Sequence, residues 1–189
     1  MAGKSIIDKK TLLKYAIKMV EEKGLESINA RDLASSAGIS TKPIYRIYKS
    51  LDELKTDVNE IIKKEYDEFI MKRVDNKNAL ITVCVAYVEF AEMHKNYFRC
   101  MFLSNNLKWT SIDDVLNEKW NQSTIINLVN KHSLSFEEAK NLFMNVWLYA
   151  NGLATLIACN DLKIDNKEIL VRIVKVYKDL SRKYEKLKN

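Results

Sequence analysis

The stretch Ala37–Leu54, AGISTKPIYRIYKSLDEL, gathers groups suited to holding a polyanion. Ser40, Thr41 and Lys42 precede Pro43, the chain's one proline; Tyr45, Arg46, Tyr48 and Lys49 follow, with no acid until Asp52. Hydroxyls, cations and phenols at these intervals are the donors that phosphates and base edges accept. Proline costs about 3 kcal/mol inside a helix but far less in the first turn, where an N–H has no intrahelical partner. Pro43 therefore marks a helix start, with Ser40 as the expected N-cap and Thr41, Lys42 and Pro43 as the first turn. Such a terminus attracts anions through its free N–H groups and its dipole. Thr41 and Lys42 are expected to reach base edges, and Tyr45, Arg46, Tyr48 and Lys49 to bond phosphates along the groove wall.

These groups need a scaffold. A helix over about 29–37, capped by Asn29 with Asp32 three residues on, ends at Gly38. A turn as short as GIS sets the next helix at a steep angle, giving a helix-turn-helix. A preceding helix over about 8–23 stops at Gly24. Leu12, Ala16, Val20, Leu25, Ile28, Leu33, Ala34, Ile39, Ile44 and Ile47 are the expected small core, leaving the far side of the third helix free. The sequence SLDE at Ser50 is a capping box ahead of a long helix reaching about residue 74. Further helices are predicted over about 78–95, 97–104, 111–131, 135–159 and 166–187. With four glycines and one proline in 189 residues, strands joined by tight turns are not expected. The predicted class is all-α, with about nine helices.

The charge of +6 is uneven. Residues 4–18 hold five lysines against Asp8, residues 40–49 hold three cations and no anion, and residues 167–189 hold eight cations against three acids. Separate positive patches suit a polyanionic partner, and solvated helix faces show the same pattern. Cys84, Cys100 and Cys159 lack CxxC spacing and read as small apolar core residues, without a disulfide framework or a metal site. The N-terminus has no apolar run suited to a signal peptide, and no segment approaches about 18 uninterrupted apolar residues. A soluble cytoplasmic protein with no membrane partner is expected. His94 and His132 stand far apart, and neither a phosphate loop, an HExxH motif nor a nucleophile elbow is present. No catalytic residues, cofactor or metal are expected, and an enzyme is not.

Residues 28–54, INARDLASSAGISTKPIYRIYKSLDEL, resemble the tetracycline-repressor (TetR) family of bacterial transcription regulators. The family pattern there is apolar–Thr–x–Arg–Asp/Glu–Ile–Ala, then Ala–Gly–Val–Ser, then apolar–Tyr–x–x–Phe–Lys. The likeness extends over residues 6–66, with the helix-turn-helix at about 29–48, and implies a DNA role for Asn29 and Arg31 also. Asn29 stands in place of Thr, Tyr48 in place of Phe, and Leu51 in place of a phosphate-contacting Lys, for which Lys49 or Lys55 is the substitute. Residues 94–102, HKNYFRCMF, and 147–157, WLYANGLATLI, are similar to the WHG-type C-terminal domain, with Asn151 in place of His.

The resemblance implies an effector-binding and dimerisation domain over 67–189. In the family the last two helices of each subunit form a four-helix dimer interface. Residues 143–158 are apolar nearly all round, so a helix there is expected to be buried on every side. Ala150, Gly152, Ala154 and Ala158 would admit another helix, and the last helix offers Ile169, Ile173, Val176, Leu180, Tyr184 and Leu187. A homodimer on a palindrome follows, with a ligand that must bind two geometries unequally to act as a switch. Tyr87, Phe90, His94, Phe98, Met101, Phe102, Trp120, Asn145, Trp147 and Asn151 are the candidate pocket residues, for a largely apolar or aromatic effector. Aromatics and methionines at helical spacing also suit a plain core. The implied function is a ligand-responsive repressor; the alternative is a DNA-binding architectural or scaffold protein of the same fold without an effector.

Overall fold

The computed structural model describes residues 7–104 and 106–186, with side chains as far as Tyr184. Ile6 and Leu187, named above as a domain start and a stripe residue, lie outside the described residues. Among those described, 80% are helical, in ten α-helices and two short 3-10 helices (Leu25–Ser27 and Asn76–Asn78), with no strand. They form two compact units. Of the described residues, one unit holds 7–66, 94–104 and 106; the other holds Asp67–Met93 and 107–186. Residues 94–106, expected in the second domain, thus cluster with the first.

In the first unit, α1 (Lys9–Lys23) opens where the Asp8 carboxylate accepts the Thr11 N–H at 2.7 Å and closes at Gly24. The φ of +84° at Gly24 is a conformation that glycine adopts without a side-chain clash. Leu12, Ala16, Met19 and Val20 form its buried stripe. Helix α2 (Ala30–Ser36) is capped as expected: Asn29 Oδ1 accepts the Asp32 N–H at 2.9 Å, and Asn29 Nδ2 donates to the Asp32 carboxylate at 2.7 Å. Helices α3 (Lys42–Ile47) and α4 (Leu51–Met71) follow. Ser50 Oγ accepts the Glu53 N–H, while Glu53 reaches back to the Lys49 N–H at 2.8 Å, one residue before the expected capping-box partner.

The core of this unit is larger than expected, because Tyr48, Leu54, Val58 and Ile62 join it; Leu25, Ile39 and Ile47 are only half-buried. Helix α6 (Lys95–Phe102) packs on α1 and buries Tyr97, Phe98, Cys100 and Met101. Asn96 Nδ2 donates to the Glu21 carbonyl at 2.8 Å, fixing α6 against α1.

The second unit contains α5 (Ala79–Met93), α7 (Ile112–Asn117), α8 (Lys119–His132), α9 (Phe136–Asn160) and α10 (Asn166–Lys186). The helix expected over 111–131 is two, broken at Glu118, whose backbone is extended (ψ 135°). The side chains of Asn121 and Gln122 then donate to the carbonyls of Val115 and Leu116 at the end of α7, at 2.7 and 2.8 Å. Ser111 with Asp114, and Ser135 with Glu138, form reciprocal capping boxes that start α7 and α9.

Helix α9 packs against α5, α8 and α10. Among the described residues it is the one helix long and apolar enough, by length and composition, to cross a membrane, and 44% of its most apolar window is buried. It is not buried on every side. Ala150, Ala154, Ile157 and Ala158 face inward, whereas Leu148, Gly152 and Leu156, spaced four apart, lie open on one face. Cys84 and Cys100 are buried as expected, and burial pushes the Cys100 thiol up to about 11. Cys159 is exposed near the end of α9, contrary to its core assignment.

Candidate nucleic-acid interface and effector region

The turn between α2 and α3 hinges on Gly38, with φ +65°. Its N–H donates to the Ser35 carbonyl at 3.1 Å and the Ile39 N–H to Ala34 at 2.9 Å, closing α2. Helix α3 then begins later than expected. Thr41 occupies the N-cap position with helical backbone and no side-chain cap bond, and its carbonyl accepts the Ile44 N–H at 3.1 Å. Ser40 is therefore not the cap. Pro43 does lie in the first turn, where its missing N–H is no loss.

The unit divides α3 into two faces. Ile44 is fully buried, whereas Lys42 and Arg46 are exposed and Tyr45 is 54% exposed; Lys49, two residues past the helix end, is exposed as well. Ser40, Asn29 and Arg31 are exposed near the starts of their helices, and Thr41 is half-buried. Arg31, Lys42, Arg46 and Lys49 have no ion-pair partner among the described residues. This outward row of cations with a phenol beside them presents positive charge and a hydroxyl donor to solvent.

Tyr48 does not belong to that row. It is 1% exposed and its hydroxyl donates to Asp57 Oδ2 at 2.8 Å, so the expected phosphate contact is withdrawn. Burial first, and the bond to Asp57 second, push its ionisation well above the ordinary tyrosine range. Lys9 Nζ reaches the same carboxylate oxygen at 2.6 Å and lies 5.1 Å from the Tyr48 ring centroid. Bonds from Lys9 and then Tyr48 hold the Asp57 carboxyl below its usual range. Lys55, one of the two substitutes for the position at Leu51, pairs with Glu26 at 3.6 Å and its side chain is only 24% exposed. Lys49 is the substitute left facing solvent. The hydroxyl that sets Tyr48 apart from a family phenylalanine was visible in the sequence; its inward direction depends on Asp57 and Lys9, which no local pattern connects.

The ten proposed pocket residues do not share one unit. His94, Phe98, Met101 and Phe102 belong to the first. There His94 stacks on Tyr97 with centroids 5.7 Å apart, and Phe98 and Met101 fill core positions. Phe102 meets the Tyr66 ring edge-on at 5.1 Å. In the second unit Phe90 is core, packed on Phe69 at 5.3 Å. Asn145 is exposed and its amide donates to the Asn141 carbonyl of its own helix, so it points away from any interior. Trp120 is half-buried.

Three of the ten do converge. The Tyr87 hydroxyl donates to Asn151 Oδ1 at 2.8 Å, and Tyr87 and Trp147 have ring centroids 5.9 Å apart. Trp109, which the sequence reading passed over, covers this group edge-on at 6.1 Å from Trp147. Its indole N–H donates to Glu118 at 3.2 Å. A tryptophan in the polar stretch NNLKWTS was the one available signal, since an aromatic there must find a surface to cover.

The dimer assignments also change. Ala154 and Ile173 are fully buried inside the unit and cannot meet a partner. Val176 and Leu180 are half-buried, because α10 turns Ile169, Ile173, Tyr177 and Ser181 inward. Gly152 is exposed, and a Cβ added there would meet nothing within 4 Å. Open apolar positions on these two helices include Leu148 (50%) and Leu156 (46%) on α9, besides Phe136 at its start, and Leu170 and Val171 (64%) on α10. Burial by residue type could not tell the inner row from the outer one, since both are apolar.

No protein-family profile matches the chain, and no curated protein matches it in sequence. Solved structures do match in shape. A TetR-family transcriptional regulator from Vibrio parahaemolyticus superposes with a TM-score of 0.60 at 16% identity, over 90% of this chain and 96% of that one. A TetR variant from Acinetobacter baumannii AYE, solved in complex with minocycline, gives 0.61 at 14% identity, over 97% and 99%. A TetR-like regulator from a Rhodococcus species gives 0.60 at 13% identity, over 89% and 92%. The chain has the fold of TetR-family transcriptional regulators.

Proposed function

We propose that this chain, on its TetR-type fold, is a sequence-specific DNA-binding transcriptional regulator that works as a homodimer on a palindromic site. The observation that carries the reading is the outward face of α3, where Lys42, Tyr45 and Arg46 stand exposed, with Lys49 exposed just past its end, while Ile44 holds the opposite face in the core. A recognition helix enters the major groove with its amino end reaching base edges, so Lys42 and Thr41 are placed to read and Tyr45, Arg46 and Lys49 to grip phosphate. The exposed stripe Leu148, Gly152 and Leu156 on α9, with Leu170 and Val171 exposed on α10, supports pairing of two copies through these helices. The glycine allows a partner helix close approach. Two recognition helices then lie about 34–36 Å apart or a multiple of it, matching half-sites one helical turn apart.

Effector control is the finer part of the proposal. Tyr87, Trp147, Asn151 and Trp109 would form the wall for a flat aromatic ligand, which must displace Trp109 to reach the others. Their present packing against one another supports a second reading, a DNA-binding scaffold protein whose second unit needs no ligand. Selection of bound fragments from random duplex DNA with the purified protein tests the main reading. Enrichment of a two-fold symmetric sequence is expected, and recovery of no preferred sequence at low salt overturns it. Repeating the selection with hydrophobic aromatic compounds separates the two readings, since only a regulator releases its site.

A further inference from the structure

Tyr48 ends α3 with extended backbone (φ −123°, ψ 133°), and its N–H donates to the Ile44 carbonyl at 2.9 Å. Within 42–49, Ile44 and Tyr48 are the two buried residues. A six-residue helix cannot persist, still less hold a direction, by its own hydrogen bonds. Ile44 gives it an apolar foothold, with Pro43 and Ile47 half-buried beside it, but apolar contact alone is non-directional and fixes the helix angle weakly.

The second hold is polar. A buried phenol requires an acceptor, and Asp57 of α4 supplies it at 2.8 Å. The same oxygen receives Lys9, the first residue of α1, at 2.6 Å. One carboxylate thereby joins the start of α1, the end of α3 and the body of α4. Lys9 also cancels the negative charge that Asp57 would otherwise present near a phosphate path. Glu53, the other acid acting on Tyr48, is itself occupied by the Lys49 N–H.

We propose that Tyr48, Asp57 and Lys9 form a tether that sets the direction of α3, acting as positioning residues for base recognition and not as DNA contacts. The proposal rests on reading α3 as the recognition helix. Bidentate base-edge bonds depend on helix angle, whereas flexible cations follow phosphates over a range of angles. Loss of the tether should therefore lower binding to the preferred sequence and leave binding to arbitrary duplex intact.

The test uses the full chain as wild type, Tyr48→Phe, Asp57→Asn, the double variant and Lys9→Met. The probes are the duplex enriched by the wild type and a scrambled duplex of equal length. Each single change is expected to weaken binding to the enriched duplex roughly tenfold, the scale of one charge-assisted hydrogen bond. Scrambled binding should hold, and the double variant should lose no more than either single, since the two act as one unit. In the free protein the Tyr48 amide should exchange hydrogen faster in Tyr48→Phe and Asp57→Asn, with α2 amides unchanged.

Equal weakening on both duplexes, or unchanged exchange and unchanged specific binding, overturns the tether. Failure of the wild type to enrich any duplex overturns the functional reading instead, and the exchange measurement still decides the tether. If Tyr48→Phe fails to fold, Lys9→Met carries the comparison, because that side chain is 57% exposed and its loss leaves the core intact.

Discussion

Helix α3 has six residues and α9 has twenty-five, and they depend on the rest of the chain in opposite ways. The short helix is marginal by itself and is held by Ile44 and Tyr48, so its outer positions are left to chemistry. The long one packs on three neighbours, and its inner row, Ala150, Ala154, Ile157 and Ala158, is fixed by what those helices present. Its outer row, Leu148, Gly152 and Leu156, is exposed and has no such partner among the described residues. On the proposed reading, DNA contact would reside in neighbouring residues of α3, while assembly would reside in a stripe that only the three-dimensional neighbours of α9 define.

The strongest test of that contrast is removal of the foothold. Ile44→Ala deletes a fully buried side chain, with an expected cost of about 2–5 kcal/mol, read as a lowered midpoint in thermal or urea unfolding. A loss below that of an exposed-site control would show that α3 does not depend on its inner face. On the other side of the comparison, Leu156→Glu should leave the fold intact, shift the chain from dimer to monomer in sedimentation, and cost palindrome affinity more than half-site affinity. An unchanged dimer would move the interface off α9.

Gly38→Ala is the intermediate case. A side chain at φ +65° is strained by about 1–2 kcal/mol, although no atom lies within 4 Å of the added Cβ. A stability change near zero would mean the turn has relaxed. Smaller effects belong to the outer face of α3. Tyr45→Phe and Lys49→Ala should weaken binding to all duplexes alike, and Lys49→Ala should flatten the salt slope by about 0.9. Lys42→Ala should relax preference at particular base pairs, and an equal loss on random DNA would refute its role as a base reader.

The smallest effect concerns pH. The Asp57 carboxyl is depressed by Lys9 and Tyr48, so its stabilising contribution is complete above the ordinary aspartate value, about 3.9, and is lost as pH falls through the lower folded value. Asp57→Asn should flatten the acid limb of the stability curve below about pH 4. An unchanged limb would assign acid sensitivity elsewhere.

Legibility followed the same division. Asn29, Gly38 and Pro43 announced a cap, a turn and a helix start because each acts on its own backbone within a few residues. The break at Glu118 was hidden because Asn121 and Gln122 satisfy the broken end through side chains that also suit a continuous helix. Tyr48 was placed outward because amphipathic spacing alone does not register a carboxylate nine residues away and an ammonium from α1. The proposed pocket was too broad because aromatics on α6 and α5 look alike in sequence, yet α6 spends its rings on α1 and α4. Of that list, Tyr87, Trp147 and Asn151 remain together.

One property of α3 reaches beyond this molecule. Since Ile44 and Tyr48 anchor it from beneath, the exposed positions 42, 45 and 46 are left free of the core. On the proposed reading of α3, a change at the base-reading position 42 would alter the recognised word after gene duplication and leave the packing beneath it untouched. Sister copies would then diverge in target without passing through a broken ancestor.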